Sequence, residues 1–306
     1  MVVKKVYDIA FLGHYTKDTI VSAERTRVVD GGAFNYGSHL AIRMGLRVAA
    51  ITRLAREDFH VVDELKKLGV DVFAKATPQS TCLRLEYPTS NVDERIIYIT
   101  GSAGPFTPSE VRDIASKAFV IGASVRGEVT LEVIEELRKK ETILSADVQG
   151  FIRIVHEGKL VFKDWPEKEK ILSKVDVLKT DAVEAELLTG KKDIRLSAKV
   201  LSDFGPKEVV ITHSNGLLVY DGNHFYETSF YPKQLIGRSG RGDTCIASYV
   251  ARRLMAPPSE AILWAAALTS LKMEAEGPFQ RDIREVEELF QKKYRWSPMG
   301  KRVGPF

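Results

Sequence analysis

The chain is expected to fold as an α/β protein: a mostly parallel central sheet with helices on both faces, and short strands that leave it. Three observations predict this. From Pro108 onward, short apolar runs alternate with amphipathic stretches, the rhythm of strand and helix in a covered parallel sheet. Hydrophobic residues make up 44% and charged residues 28% of 306, enough for a large core without disulfides or a structural metal. An earlier stretch, residues 14–30, carries polar and β-branched residues in loose alternation, as short exposed strands that leave the main sheet do.

Taken in order, Ile9-Ala10-Phe11-Leu12 is a buried strand closed by Gly13. Thr19-Ile20-Val21 and Thr26-Arg27-Val28-Val29 read as short exposed strands. Gly31-Gly32 opens a helix that Gly45 stops, and Val48 to Thr52 is the next buried strand. Residues 59–68 carry Val61, Val62, Leu65 and Leu68 on one helical face. Thr81 to Tyr87 and Arg95 to Ile99 read as a hairpin around Asn91-Val92-Asp93. Then come a strand at 118–121, a helix at 131–140, a strand at 143–147, a helix at 164–174, a strand at 175–179 and a short helix at 184–188. A strand at 209–212, a hairpin at 217–230 and helices at 244–254, 258–275 and 282–293 complete the series, before a surface tail from Trp296. No repeat or linker divides the chain, so residues 1–306 read as one domain.

The formal charge is only +4 and no basic block reaches five residues, so nucleic-acid binding is not expected. A mildly positive cleft suits an anionic cofactor. Cys82 and Cys245 match no zinc spacing, and so few thiols suggest a reducing compartment. The apolar run at the start is too short for a signal peptide, and nothing approaches a membrane span; the protein reads as cytoplasmic, with no membrane partner.

The strongest local signal is Gly237-Arg238-Ser239-Gly240-Arg241-Gly242-Asp243-Thr244 ahead of an apolar helical run. Glycines let backbone amides approach an anion at a helix N-terminus, where positive partial charge collects. Asp243 at its mouth could take the proton of an attacking hydroxyl; the plain alternative is an N-cap. Gly31-Gly32-Ala33-Phe34-Asn35 could admit a polyhydroxylated ligand against the backbone, or be a bare turn. There is no GxxxxGK[ST], H-E-x-x-H, paired CxxC or G-x-S-x-G. His14 and His213 follow strand ends and could touch ligands; His39 and His156 read as packing or surface residues.

With these motifs in place, residues 7–293 resemble the ribokinase or PfkB-type carbohydrate kinase family. Gly31, Gly32, Ala33, Asn35, Gly37 and Gly45 match its N-terminal signature, and Gly13 with Asp18 matches its substrate-binding first strand and turn. Gly240, Gly242 and Asp243 keep its C-terminal signature, with Gly237 in place of an Asp and Arg241 in place of a small residue. The resemblance implies a ribokinase-like fold, ATP as donor, Mg²⁺ as metal, Asp243 as base and an anion hole of Gly240, Arg241 and Gly242. It implies an acceptor held by Asp18, Gly31, Gly32 and Asn35, with Arg153 in the segment Asp147-Val148-Gln149-Gly150-Phe151-Ile152-Arg153. That segment is a hint toward a cyclic polyol such as an inositol; for Arg153 a surface position stays open, and for Arg241 a place facing solvent. The Asn-x-x-Glu element that organises Mg²⁺ through water is Asp181-Ala182-Val183-Glu184 here. Thr212, Ser214 and Gly216 stand for the phosphate or ribose turn, shortened by one residue, and Gly277 for the adenine loop. The resemblance also implies a small β-sheet lid formed by the strands at about 14–30 and 81–99, which would close on the acceptor and could join two copies into a homodimer. The expected activity is phosphorylation of a hydroxyl on a small sugar, sugar acid or cyclic polyol. A nucleoside or vitamin-precursor kinase, and a non-catalytic sugar or nucleotide binder on the same fold, are the alternatives.

Overall fold

The structure is a computed structural model that describes residues 5–22, 25–88, 95–237 and 239–295. In chain order the strands are β1 (Val6–Tyr7), β2 (Ile9–Leu12), β3 (Thr16–Val21), β4 (Thr26–Gly31), β5 (Val48–Ala55), β6 (Asp71–Thr77), β7 (Thr81–Glu86), β8 (Ile96–Gly101), β9 (Ala115–Ser116), β10 (Ala118–Ile121), β11 (Ile143–Asp147), β12 (Arg153–His156), β13 (Lys159–Phe162), β14 (Val177–Asp181), β15 (Glu208–Thr212), β16 (Gly216–Tyr220) and β17 (Phe225–Ser229). The helices are α1 (Ala33–Arg43), α2 (His60–Lys67), α3 (Pro108–Arg112), α4 (Leu131–Arg138), α5 (Gln149–Ile152), α6 (Lys168–Leu172), α7 (Ala182–Thr189), α8 (Ile194–Asp203), α9 (Arg241–Arg253), α10 (Pro258–Met273) and α11 (Ile283–Leu289).

The central sheet runs β17-β16-β15-β14-β11-β10-β2-β5-β6, parallel from β15 to β6 and antiparallel through the β15-β16-β17 edge. Its inner strands are mostly apolar because both faces are covered, with polar residues such as Asp147 and Lys179 toward the ends that meet the cleft. In β2, Ile9 and Phe11 enter the core shared with α1, α2, α9 and α10. Ala10 and Leu12, one step out of phase, enter the opposite core with α3, α4, α7 and α8. The lid is a separate sheet, β12-β13-β8-β7-β3-β4. β3 and β4 pair antiparallel and lead straight into α1, so the lid is tied to the base of the cleft.

The expected fold class holds, and the differences have local causes. The lid is larger than 14–30 plus 81–99, because β12 and β13 join it through β8. Glu157 and Gly158, at φ 49° and 77°, form the tight turn between them, the geometry of a two-residue hairpin. β6 and α8 were not expected. β6 is half-exposed and mixed in polarity, and α8 is announced by Asp193, whose carboxylate accepts from the amides of Arg195 and Leu196. The helix expected at 164–174 contracts to Lys168–Leu172. α9 starts at Arg241 rather than 244, so Asp243 lies inside the first turn and the N-cap is Gly240. The Asn91-Val92-Asp93 turn and the tail from Trp296 lie outside the described residues.

Candidate active site

The site is built where β2, β10, β11 and β14 end, with the first turns of α1 and α9 facing each other. Gly240 has a φ of 71°, and a Cβ there would lie 2.2 Å from the Tyr36 ring on α1. This close approach seats the first turn of α9 against α1. At Gly122, after β10, a Cβ would touch Ala33 at 2.1 Å and stand 4.0 Å from Asp243 Oδ1. The Asp243 carboxyl therefore looks across a narrow gap at the start of α1. Burial pushes its pKa up to about 6, with Asp147 adding to the rise and Lys179, Arg153 and Lys272 opposing it. That places it near the range where a carboxylate works as a general base at neutral pH.

On the α9 side, the Lys179 ammonium, from the middle of β14, pairs with Asp147 Oδ2 at 3.0 Å, and both side chains are buried. A Cβ on Gly242 would be 2.8 Å from Lys179 Nζ, so this cation abuts the first turn of α9. Burial opposes its charge, but Asp147, Glu184 and Asp181 together raise its pKa above the ordinary value. Lys272, near the end of α10, is 2% exposed and donates to the Gly237 carbonyl at 3.2 Å. Arg241 is the half-buried first residue of α9. Sequence reasoning missed both lysines. The signals were there: a lysine inside a run buried on both faces, and a lysine four residues after Leu268 on the apolar side of a helix.

On the lid side, Asp18 stands on β3 and presses on Gly31, where a Cβ would meet Asp18 Oδ2 at 2.6 Å and Thr16 Oγ1 at 2.4 Å. Gly32 takes φ 98°, and a Cβ there would be 2.2 Å from the His14 carbonyl oxygen. Asn35, in the first turn of α1, donates from Nδ2 to the Asp30 carbonyl at 3.2 Å. That leaves Asn35 Oδ1, Asp18 Oδ1 and Arg153 Nε buried without protein partners among the described residues. Three orphaned polar atoms on three elements call for a polar ligand. Burial lifts the Asp18 pKa to about 7; the Thr16 hydroxyl lowers it and Asp243 raises it. Arg153 is 6% exposed, which removes the surface reading. Its pKa is lowered by burial and by Arg95, against the pull of Glu184, Asp147 and Asp243.

Asp18, Gly31, Gly32, Asn35, Arg153, Gly240, Gly242 and Asp243 are thus brought into one cleft. The turn residues fare differently. Thr212 is 1% exposed, with its hydroxyl directed at the Thr180 carbonyl. Gly216 begins β16, and a Cβ there would strike the Thr228 carbonyl oxygen at 2.0 Å, so this glycine serves sheet packing. Ser214 is exposed. Gly277 lies in a loop at φ 74° with open space around it. Asp181 and Glu184 cap α7 reciprocally: Glu184 N donates to Asp181 Oδ1 at 2.8 Å, and Asp181 N to Glu184 Oε2 at 2.9 Å. Burial raises Glu184 to about 7, while Lys179 lowers it. Among the described residues no group of His, Cys, Asp or Glu is placed to hold a metal directly. Two carboxylates already spent on a cap fit Mg²⁺ only through its water shell, together with donor phosphates.

A lidded, mostly parallel sheet with a carboxyl in the first turn of a helix at the strand ends defines a ribokinase-like phosphotransferase. The comparisons agree. The model of the pfkB family of carbohydrate kinases matches residues 6–281, and the chain belongs to that family. It is a kinase with a hydroxyl acceptor of the sugar or polyol class. A solved sulfate complex of a pyrophosphate-dependent kinase in the ribokinase family is 38% identical, with TM-score 0.85, covering 92% of this chain and 99% of that one. A pyrophosphate-dependent kinase of the same family, complexed with a pyrophosphate analogue and myo-inositol, is 36% identical, with TM-score 0.84 and the same coverages. A cytidine kinase from Thermococcus kodakarensis is 23% identical over 253 residues, 80% of this chain and 87% of its own length.

Proposed function

We propose that this protein transfers a phosphoryl group from pyrophosphate to a hydroxyl of a cyclic polyol of the inositol class. The observation that carries this reading is the fixed positive charge around one helix N-terminus: Arg241 in the first turn of α9, Lys179 against Gly242, and Lys272 behind Gly237. Pyrophosphate has no base or sugar for a protein to grip, so charge must do the binding. The 36% and 38% identical kinases named above use that donor, and one of them was solved with myo-inositol.

In this reading Asp18, Asn35 and Arg153 bind the acceptor hydroxyls, with Gly31 and Gly32 giving them backbone access. Asp243 accepts the proton as the acceptor oxygen bonds to phosphorus. The bridging P–O bond breaks, and inorganic phosphate leaves with the electron pair. Amides of Gly240, Arg241 and Gly242 receive the charge of the group in flight. Asp181 and Glu184 would hold the water shell of Mg²⁺, which when bound would neutralise donor charge. Ser214 and Gly277 would border the donor. ATP is a second reading, favoured by Leu235 and Ile236, which expose 59% and 50% of their surfaces on the strap leading to the anion hole, where a base could lie. A cytoplasmic setting and a homodimer through the lid belong to the same proposal; among the described residues no helix is long and apolar enough to cross a membrane.

The test is turnover with Mg²⁺ and either pyrophosphate or ATP against inositols, sugars, sugar acids and nucleosides, with sedimentation velocity for the dimer. Phosphoinositol from pyrophosphate, lost in Asp243→Asn, supports the reading. Turnover with ATP alone transfers it to the second donor. A folded protein that turns over neither donor overturns it.

A further inference from the structure

Lys272 is a buried cation with no ion pair among the described residues, although 98% of its surface is covered. Its ammonium makes a hydrogen bond to one neutral acceptor, the Gly237 carbonyl, and stands 5.6 Å from the centre of the Tyr36 ring. Gly237 belongs to the strap that enters the anion hole. The strap is clamped to the end of α10: the amides of Ile236 and Gly237 donate to the Met273 carbonyl at 2.9 and 3.1 Å. A Cβ on Gly237 would lie 2.1 Å from the Ala275 carbonyl oxygen. At the other end of the strap, Gly240 rests on the same Tyr36 ring. Lys272 therefore sits behind the anion hole, between strap and ring.

A methionine would fill this space, and a lone buried charge opposes folding. The charge needs another justification, and an anion arriving at the first turn of α9 supplies one. We propose that Lys272 is a positioning residue: its ammonium anchors Gly237 through its carbonyl and offsets the negative charge of donor phosphates bound at the first turn of α9. The inference rests on phosphoryl transfer at α9, not on which donor is used.

Its surroundings give a signature. The groups facing Lys272 are Asp243 on α9, Tyr36 on α1 and Glu276 in the loop after α10, itself paired with Arg27 of β4 at 2.7 Å and Arg25 at 3.5 Å. Burial brings the ammonium down to about pH 8, with Asp243 and Glu276 working the other way. The positive charge is present below that pH and is lost as pH rises through it. The Tyr36 phenol, raised by burial, stays neutral across this window.

The experiment is titration calorimetry of Mg-pyrophosphate and, separately, Mg-ATP into the wild type, Lys272→Met, Lys272→Arg and Lys272→Ala between pH 7 and 9.5, alongside kinetics. For whichever donor the wild type binds, Lys272→Met is expected to weaken donor affinity about tenfold at pH 7, the scale of one charge-assisted contact. The acceptor KM should stay unchanged and the melting temperature should not fall. The excess loss of affinity above pH 8 expected of the wild type should be absent from Lys272→Met. Lys272→Arg should keep donor affinity to higher pH, and ethylammonium should restore part of the kcat of Lys272→Ala. Wild-type donor affinity and an unchanged pH profile in Lys272→Met would overturn the proposal. A wild type that binds ATP but not pyrophosphate would overturn the donor assignment and leave the Lys272 comparison to be read on ATP; binding of neither would overturn both.

Discussion

Asp243 and Asp18 share one cleft and one difficulty, a carboxyl held where its charged form is poorly solvated. For Asp243 the gain is basicity, and Asp243→Asn is expected to lower kcat by about 10²–10⁴-fold while leaving the fold intact, as steady-state kinetics and circular dichroism would show. For Asp18 the signature is thermodynamic. Its pKa moves from 3.8 in a solvated carboxyl to about 7 here. Below pH 3.8 both folded and unfolded chains hold the proton. Between 3.8 and 7 the unfolded chain releases it first, so stability drains as pH rises, by about 4 kcal/mol in full. Asp18→Asn escapes that drain. It is expected to melt higher than the wild type at pH 8 without acceptor, with the advantage gone by pH 4, and to raise the acceptor KM. An equal or lower melting temperature at pH 8 would contradict the burial account.

In the proposed reaction the first turn of α9 is the element on which donor, base and cations converge. Its glycines differ in what they allow. Gly240 takes a left-handed φ against the Tyr36 ring, so a side chain there disturbs the packing of α1 on α9. Gly242 has ordinary helical backbone, and alanine is a good helix former. A Cβ at Gly242 would nevertheless meet Lys179 Nζ at 2.8 Å, an ammonium tethered to Asp147. Gly242→Ala is therefore expected to stay folded within a few degrees in melting temperature while donor kcat/KM falls by about 10²-fold, the scale of a lost anion-hole contact. A variant with unchanged donor kinetics would show that Lys179 is not part of the anion site. The β12–β13 hairpin brings Arg153 to the cleft, and its signal was a Glu-Gly pair between β-branched runs, legible once φ above zero at both positions is known.

Across the whole molecule, the lid and the donor wall are joined by Arg27 on β4 and Glu276 after α10. Both side chains are partly exposed, so the pair contributes at most about 1 kcal/mol. Glu276→Gln is expected to speed amide exchange in β3 and β4 by up to about fivefold, while a saturating polyol should slow exchange in β7 and β8. Exchange indifferent to the acceptor would argue against a lid that closes over it.

The sequence by itself determined the class of fold, because strands covered on both faces must be largely apolar, and the alternation of such runs with amphipathic helices has few solutions. It determined the motif residues too, since glycines forced by close approach and a carboxyl beside them stand at short, readable spacings. Only the tertiary structure decided the membership of the site. Lys179 comes from the middle of one strand, Lys272 from the end of a distant helix, and Arg153 from the head of a lid strand. Each is an unremarkable charge in sequence, and its meaning arises from burial and from partners that the fold brings in from other elements.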